Sequence, residues 1–157
     1  NRRFSGTRIT CSLGVCILLT LCSNICQSHT YVFSHFCSLL QAGCSKVYIT
    51  SRKKTACDEA VAALNAIPNK RPGAQAISVP ADSSDMKELD RLVAEVAKTT
   101  DRVDILFANA GATWGEKFDT HPEKMFSKVM DLNVKSVFYT IQKYVISLAE
   151  IRDKTRF

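Results

Sequence analysis

The chain has 157 residues, 46% of them hydrophobic and 23% charged, which suits one domain with a core of its own and excludes both a disordered chain and a multi-span membrane protein. Its formal charge of +6 is gathered at the extremes, in Arg2, Arg3 and Arg8 and in Arg152, Lys154 and Arg156, with no basic stripe interleaved with aromatics; no nucleic-acid partner is expected. Cys11, Cys16, Cys22, Cys26, Cys37 and Cys44 all precede residue 45 and only Cys57 follows, none forms a Cys-x-x-Cys pair, and with His29, His35 and His121 they show no metal-ligand spacing, so no metal is expected.

Residues 1–38 form an atypical, cysteine-rich apolar segment. Arg2, Arg3 and Arg8 precede an apolar run, residues 9–22, that resembles the hydrophobic region of a secretory signal yet is short for a membrane span. Three readings of this segment stand: a signal or anchor, a buried strand or helix of the domain, and non-native sequence joined by mis-splicing before about Leu39. From residue 39 to 150 the pattern settles into strand-helix units, and residues 151–157 are a charged tail. Leu39 to Gly43 reads as a helix end with glycine just past the last turn, and Lys46 to Thr50 as a short strand. Ser51-Arg52-Lys53 turns into a helix, about Thr55 to Ile67, that places Cys57, Ala60, Val61 and Leu64 on one face and stops at Pro68. Ala74 to Pro80 reads as the next strand. Asp85 and Glu88 make a capping box for a helix to about Thr99 with Met86, Leu89, Leu92, Val93 and Val96 on its buried stripe. Val103 to Ala108 is apolar but for Asp104, the pattern of a strand covered on both faces, and it ends on Asn109 to Ala112 as a ligand-facing loop. Pro122 opens the longest helix, whose apolar stripe is Phe126, Val129, Met130, Val134, Val137, Phe138 and Ile141. Asn133 falls on that stripe, where an amide must find partners or cost roughly 1 to 3 kcal/mol, so it either satisfies nearby backbone or faces a cavity. Alternating strands and helices with short connections predict an α/β fold, a partial doubly wound, Rossmann-like parallel sheet with three recognisable strand-helix units.

Asn109-Ala110-Gly111-Ala112 closing a strand, followed by Val129-Met130-Asp131-Leu132-Asn133-Val134 in the next helix, resembles the short-chain dehydrogenase/reductase family. Residues 105–142 are similar to β-ketoacyl-(acyl-carrier-protein) reductases of the rhamnolipid-biosynthesis type and their fungal relatives. The resemblance implies a cytoplasmic NADP(H)-dependent oxidoreductase acting on a small ketone or alcohol or on an acyl-carrier-bound substrate. It implies that Asn109 and the backbone of Ala110 and Gly111 line the cofactor site, that Asp82 contacts the adenine ring, and that Asn133 is the catalytic asparagine holding a water in the proton relay. Lys143 sits where relatives carry a basic residue near the cofactor. At the end of the second strand an acid selects NAD through the ribose hydroxyls and a cation selects NADP through the 2'-phosphate; Ser51, Arg52 and Lys53 contain no acid, and Arg52 has the planar fork that suits phosphate.

Two parts that the resemblance implies are not recognisable. Residues 1–42 hold only Gly6 and Gly14, so the glycine-rich turn that lets backbone approach a pyrophosphate is missing. The serine, tyrosine and lysine of the active site are missing too: Tyr139 and Lys143 have the family's spacing, but they share a helix with Asn133, where the family's pair follows a further strand. The chain is therefore read as a truncated reductase, inactive as it stands, with a non-catalytic interaction fragment or a secreted or anchored variant as alternatives. A homo-oligomer through residues 122–145 is a further expectation, and no membrane role is expected. Without a first strand, Lys46 to Thr50 and Val103 to Ala108 would lack their common neighbour, a slot that Val15 to Leu21 could fill as a substitute strand.

Overall fold

The computed structural model describes residues 15–22, 28–101 and 103–154; Arg2, Arg3, Arg8, Gly6 and Gly14 lie outside the described residues, as do residues 155–157 of the tail. Four strands, β1 (Val15–Cys22), β2 (Lys46–Thr50), β3 (Gln75–Ser78) and β4 (Ile105–Gly111), alternate with helices α1 (Ser28–Gln41), α2 (Lys54–Ala66) and α3 (Met86–Ala97). Beyond β4 come a single 3-10 turn (Phe118–Thr120), α4 (Glu123–Met130), a π-helical turn (Asp131–Lys135) and α5 (Ser136–Lys154). The strands form one parallel sheet in the order β3-β2-β1-β4. The fold is thus the expected α/β doubly wound sheet, and the slot between β2 and β4 is filled as expected by the early apolar run, with Val15 opposite Lys46 and Cys16 opposite Ile105.

β2 is buried from Val47 to Thr50, because its two faces feed two cores. Val47 and Ile49 pack with Phe36 and Leu40 of α1 and with Cys57 and Leu64 of α2. Tyr48, on the opposite face, packs with Leu89, Leu92, Val93 and Val96 of α3 and with Tyr144 of α5. Period two in the strand and period three to four in the helices produce this layering. Tyr48 also shares a 2.5 Å hydrogen bond with Thr99 Oγ1, which ties the strand to the end of α3.

Local chemistry fixes the element ends. Gly43 takes a left-handed φ of 109° after α1, a conformation that suits glycine, as the sequence predicts. Asn65 pins α2 to β3, its Nδ2 donating to the Ala76 carbonyl (3.1 Å) and its Oδ1 accepting from the Ala76 N–H (2.9 Å). Asp85 caps α3 by accepting from the Lys87 N–H at 2.8 Å. The predicted capping box is only half formed, because the Glu88 carboxylate turns to Arg91 Nη2, 2.6 Å away, whose charge is the stronger attraction.

Three expectations are corrected. β4 does not stop at Ala108: pairing with β1 carries it through Thr20 opposite Asn109, Leu21 opposite Ala110 and Cys22 opposite Gly111, so the predicted loop begins inside the strand. β4 is also not covered on both faces, since Phe107 is 44% exposed. The stripe of the last helices is inverted. Leu132, Ser136, Thr140 and Tyr144, one row at four-residue spacing, face inward and are buried, whereas Phe126, Met130, Val134, Phe138 and Ile141 are exposed. The inward row tolerates hydroxyls in part because Ser136 Oγ donates back to the Leu132 carbonyl (2.6 Å), as serine does in helices.

Candidate functional site

The path β1, β2, β3 winds one way across the sheet and β4 returns to the other side of β1. The carboxyl ends of β1 and β4 therefore flank a topological switch point, the place where open α/β sheets hold their ligands. Ser51, Arg52 and Lys53 follow β2, Asp82 lies just after β3, and Asn109, Ala110, Gly111 and Ala112 close β4. The parallel sheet puts these three groups along one edge. Residues 23–27, which would follow β1 there, contain no glycine and lie outside the described residues.

Asn133 reaches this edge from the π-helical turn. Its Oδ1 accepts from the Ala112 N–H at 2.7 Å and its Nδ2 donates to the Ala112 carbonyl at 3.0 Å. Of the two fates the sequence allowed, the amide has taken the first, satisfying nearby backbone. The extra residue in the turn is visible in the Ser136 N–H, which bonds the carbonyl of Asp131 five residues back. Such single π turns inside helices recur at functional sites. Leu132, on the same turn, packs against Ala110 and Ala112. Gly111 has a role that sequence reasoning missed: a Cβ there would sit 3.1 Å from Asn133 Oδ1 and 3.7 Å from its Cγ, so glycine is what lets the amide close on the strand end. The signal available was an amide misplaced on an apolar stripe, which asked for a backbone partner without saying which one.

Removing the clamp has a predictable cost. Asn133→Ala deletes two hydrogen bonds to Ala112, and a loss of about 1 to 2 kcal/mol is expected at this exposed position, measured as a lower urea midpoint with far-UV circular dichroism unchanged.

At the β2 end the Ser51 carbonyl accepts from the Ala81 N–H (3.1 Å) and from the Cys57 thiol (3.7 Å), fixing the turn to the segment after β3. Burial pushes the Cys57 thiol up, so it stays a neutral donor. Arg52 and Lys53 stand exposed beside it. Asp82 Oδ1 accepts from the Ser84 N–H (2.9 Å) and hydroxyl (2.7 Å), holding the carboxylate in a local turn. The hydroxyls of Thr50 and Ser83, buried at the same edge, have no hydrogen-bond partner among the described residues. A free cation pair on the rim and unpaired hydroxyls beneath it fit a polar, phosphate-bearing ligand at this end.

Lys143 is not brought to this edge with the others. It forms an ion pair with Asp90 of α3, and Tyr139 is half-buried against the α3 side of the core. Tyr144 is buried, and burial drives its hydroxyl far above the ordinary phenol range. None of these three supplies an acid beside Asn109. Among the described residues no group of three or more His, Cys, Asp or Glu side chains is placed to hold a metal, and no helix is long and apolar enough to cross a membrane.

The sheet, its switch point and the Asn133 clamp define a Rossmann-like dinucleotide-fold oxidoreductase module. The family model for short chain dehydrogenases matches residues 35–154, and the chain belongs to that family. It is 39% identical over 105 residues to the rhamnolipids biosynthesis 3-oxoacyl-[acyl-carrier-protein] reductase of Pseudomonas aeruginosa, covering 67% of this chain and 38% of that protein. It is 34% identical over 104 residues to a 2-dehydro-3-deoxy-D-gluconate 5-dehydrogenase of Dickeya dadantii, covering 66% and 38%. Among solved structures, the Pseudomonas aeruginosa RhlG/NADP active-site complex superposes with a TM-score of 0.66 at 30% identity, covering 85% of this chain and 48% of that one. A Burkholderia xenovorans chain described as a short-chain dehydrogenase/reductase has a TM-score of 0.69 at 18% identity, with 85% and 50% covered, and shares the fold. The chain thus spans well under two thirds of the length of the relatives it matches.

Proposed function

We propose that this chain is the cofactor-binding part of an NADP(H)-dependent carbonyl reductase, built for β-ketoacyl-like substrates, and that it binds cofactor without turning substrate over by itself. The observation that carries the reading is the alignment of Ser51–Lys53, Asp82 and Asn109–Ala112 along one carboxyl edge at the switch point, with Asn133 clamped to the last of them. Arg52 would pair with the 2'-phosphate, with Ser51 and Lys53 beside it, Asp82 would meet the adenine ring, and Asn109 with the backbone of Ala110 and Gly111 would border the nicotinamide half. The Pseudomonas relative acts on a 3-oxoacyl group, and its homologous half supports the same substrate class here. When bound, the dinucleotide supplies the hydride.

Absence of turnover follows from proton supply. Reducing a ketone needs an acid on the carbonyl oxygen, and Tyr139, Tyr144 and Lys143 are engaged against α3 and the core. The test offers this chain NADPH and a β-ketoacyl thioester. NADPH should not be consumed above the no-protein rate, and steady oxidation matched by β-hydroxyacyl product would show that a working acid is present and the reading wrong. A second reading, a non-catalytic interaction module, draws on the apolar face of α4 and α5 that stays exposed.

A further inference from the structure

We infer that two copies of this chain associate about a two-fold axis perpendicular to the sheet, joining β4 to β4 and α5 to α5. The inference is independent of the cofactor reading. β4 is an edge strand of the sheet, and Ile105 to Gly111 carries no charge and no proline, so it lacks the devices that blunt such edges. Phe107 is 44% exposed on one face of that edge, its ring within 6.3 Å of His35 on α1.

The other face of the edge is overhung by α5. Ser136, Thr140 and Tyr144 point inward, and Lys143 and Tyr139 mark the flank that faces α3. Steps of about 100° per residue place Val134, Ile141 and Val145 on the opposite flank, away from α3 and over the free side of β4. They are 53%, 45% and 62% exposed, with Phe138 at 59% on the crest. An inward face rich in hydroxyls beside an outward apolar flank is the reverse of a solvated helix.

One two-fold operation satisfies both surfaces. An axis normal to the sheet sets β4 antiparallel to its mate, which completes the backbone ladder, and keeps both α5 helices on the same side of the joined sheet, flank to flank. Together Phe107 and the exposed residues from Phe126 to Val145 present roughly 600 Å² of apolar surface, which with the strand edge approaches the ~800 Å² per partner of a stable interface. The contact is isologous and closes, so it ends at two.

Sedimentation velocity across micromolar concentrations tests it, with amide hydrogen exchange on β4. The expected result is a species of twice the chain mass that grows no further, with slow exchange at the β4 amides that point away from β1. Ile141→Lys with Val145→Lys should weaken association by about 100-fold or more and release those amides to fast exchange. A monomeric parent, open-ended oligomers, or a dimer whose outward β4 amides exchange fast would overturn the inference. If the double variant loses its circular dichroism, the exchange of β4 in the parent decides alone: slow supports the paired edge and fast overturns it.

Discussion

Leu89→Ala is expected to destabilise the chain by about 2 to 5 kcal/mol, the largest stability effect of any single substitution considered. Leu89 is wholly buried in α3, in the cluster that holds Tyr48, Val79, Leu92, Val96 and Tyr144 together. This cluster lies on one face of the sheet and joins β2, α3 and α5, so the cavity left by three missing carbon atoms has stiff walls and little chance to collapse. Against a total stability of about 5 to 15 kcal/mol for an ordinary domain, such a loss leaves little margin. The urea midpoint should fall by roughly 1 to 2 M. Phe118→Ala serves as the control, because Phe118 is 101% exposed and its removal should stay within about 0.5 kcal/mol. Equal losses at the two positions would mean that the α3 core is not where the chain derives its stability.

Arg52→Asp is expected to weaken NADPH binding by about 100-fold while leaving NADH nearly unchanged. Arg52 stands exposed on the turn after β2, a turn held in place by the Ser51 carbonyl bonds to Ala81 and Cys57. A guanidinium on a phosphate makes charge-assisted, forked hydrogen bonds worth about 1.5 to 3 kcal/mol, and an aspartate adds repulsion of the same dianion. NADH lacks the phosphate, and an acid at this position can accept from its ribose hydroxyls instead. Equilibrium dialysis with each nucleotide measures the ratio. An unchanged NADPH preference would move the phosphate contact elsewhere.

Much of this architecture is legible in the residues, for physical reasons. Leu89, Leu92, Val93 and Val96 repeat at helical spacing and are buried as that spacing demands. Val47 to Ile49 is uninterruptedly apolar because helices cover both faces. What was not legible lies where tertiary pairing overrides local pattern. β1 extends β4 to Gly111, a backbone effect that no side chain announces. The row Leu132, Ser136, Thr140, Tyr144 loses to the neighbouring apolar row in any hydrophobic count, yet it is the row that faces the sheet. The site was legible by residue type: an amide on an apolar stripe, a turn after β2 without an acid. The clamp geometry was not, since it depends on a π turn and on the empty space at Gly111.

The central claim is that a cofactor-binding edge is present in this chain. Trp114, the sole tryptophan, lies two residues beyond Ala112 and reports on that edge by energy transfer to the reduced nicotinamide. Titrating the 157-residue chain with NADPH should give saturable quenching of Trp114, with weaker binding of NADH. Quenching that rises linearly without saturation, matched by no retention of NADPH in dialysis, would contradict the account.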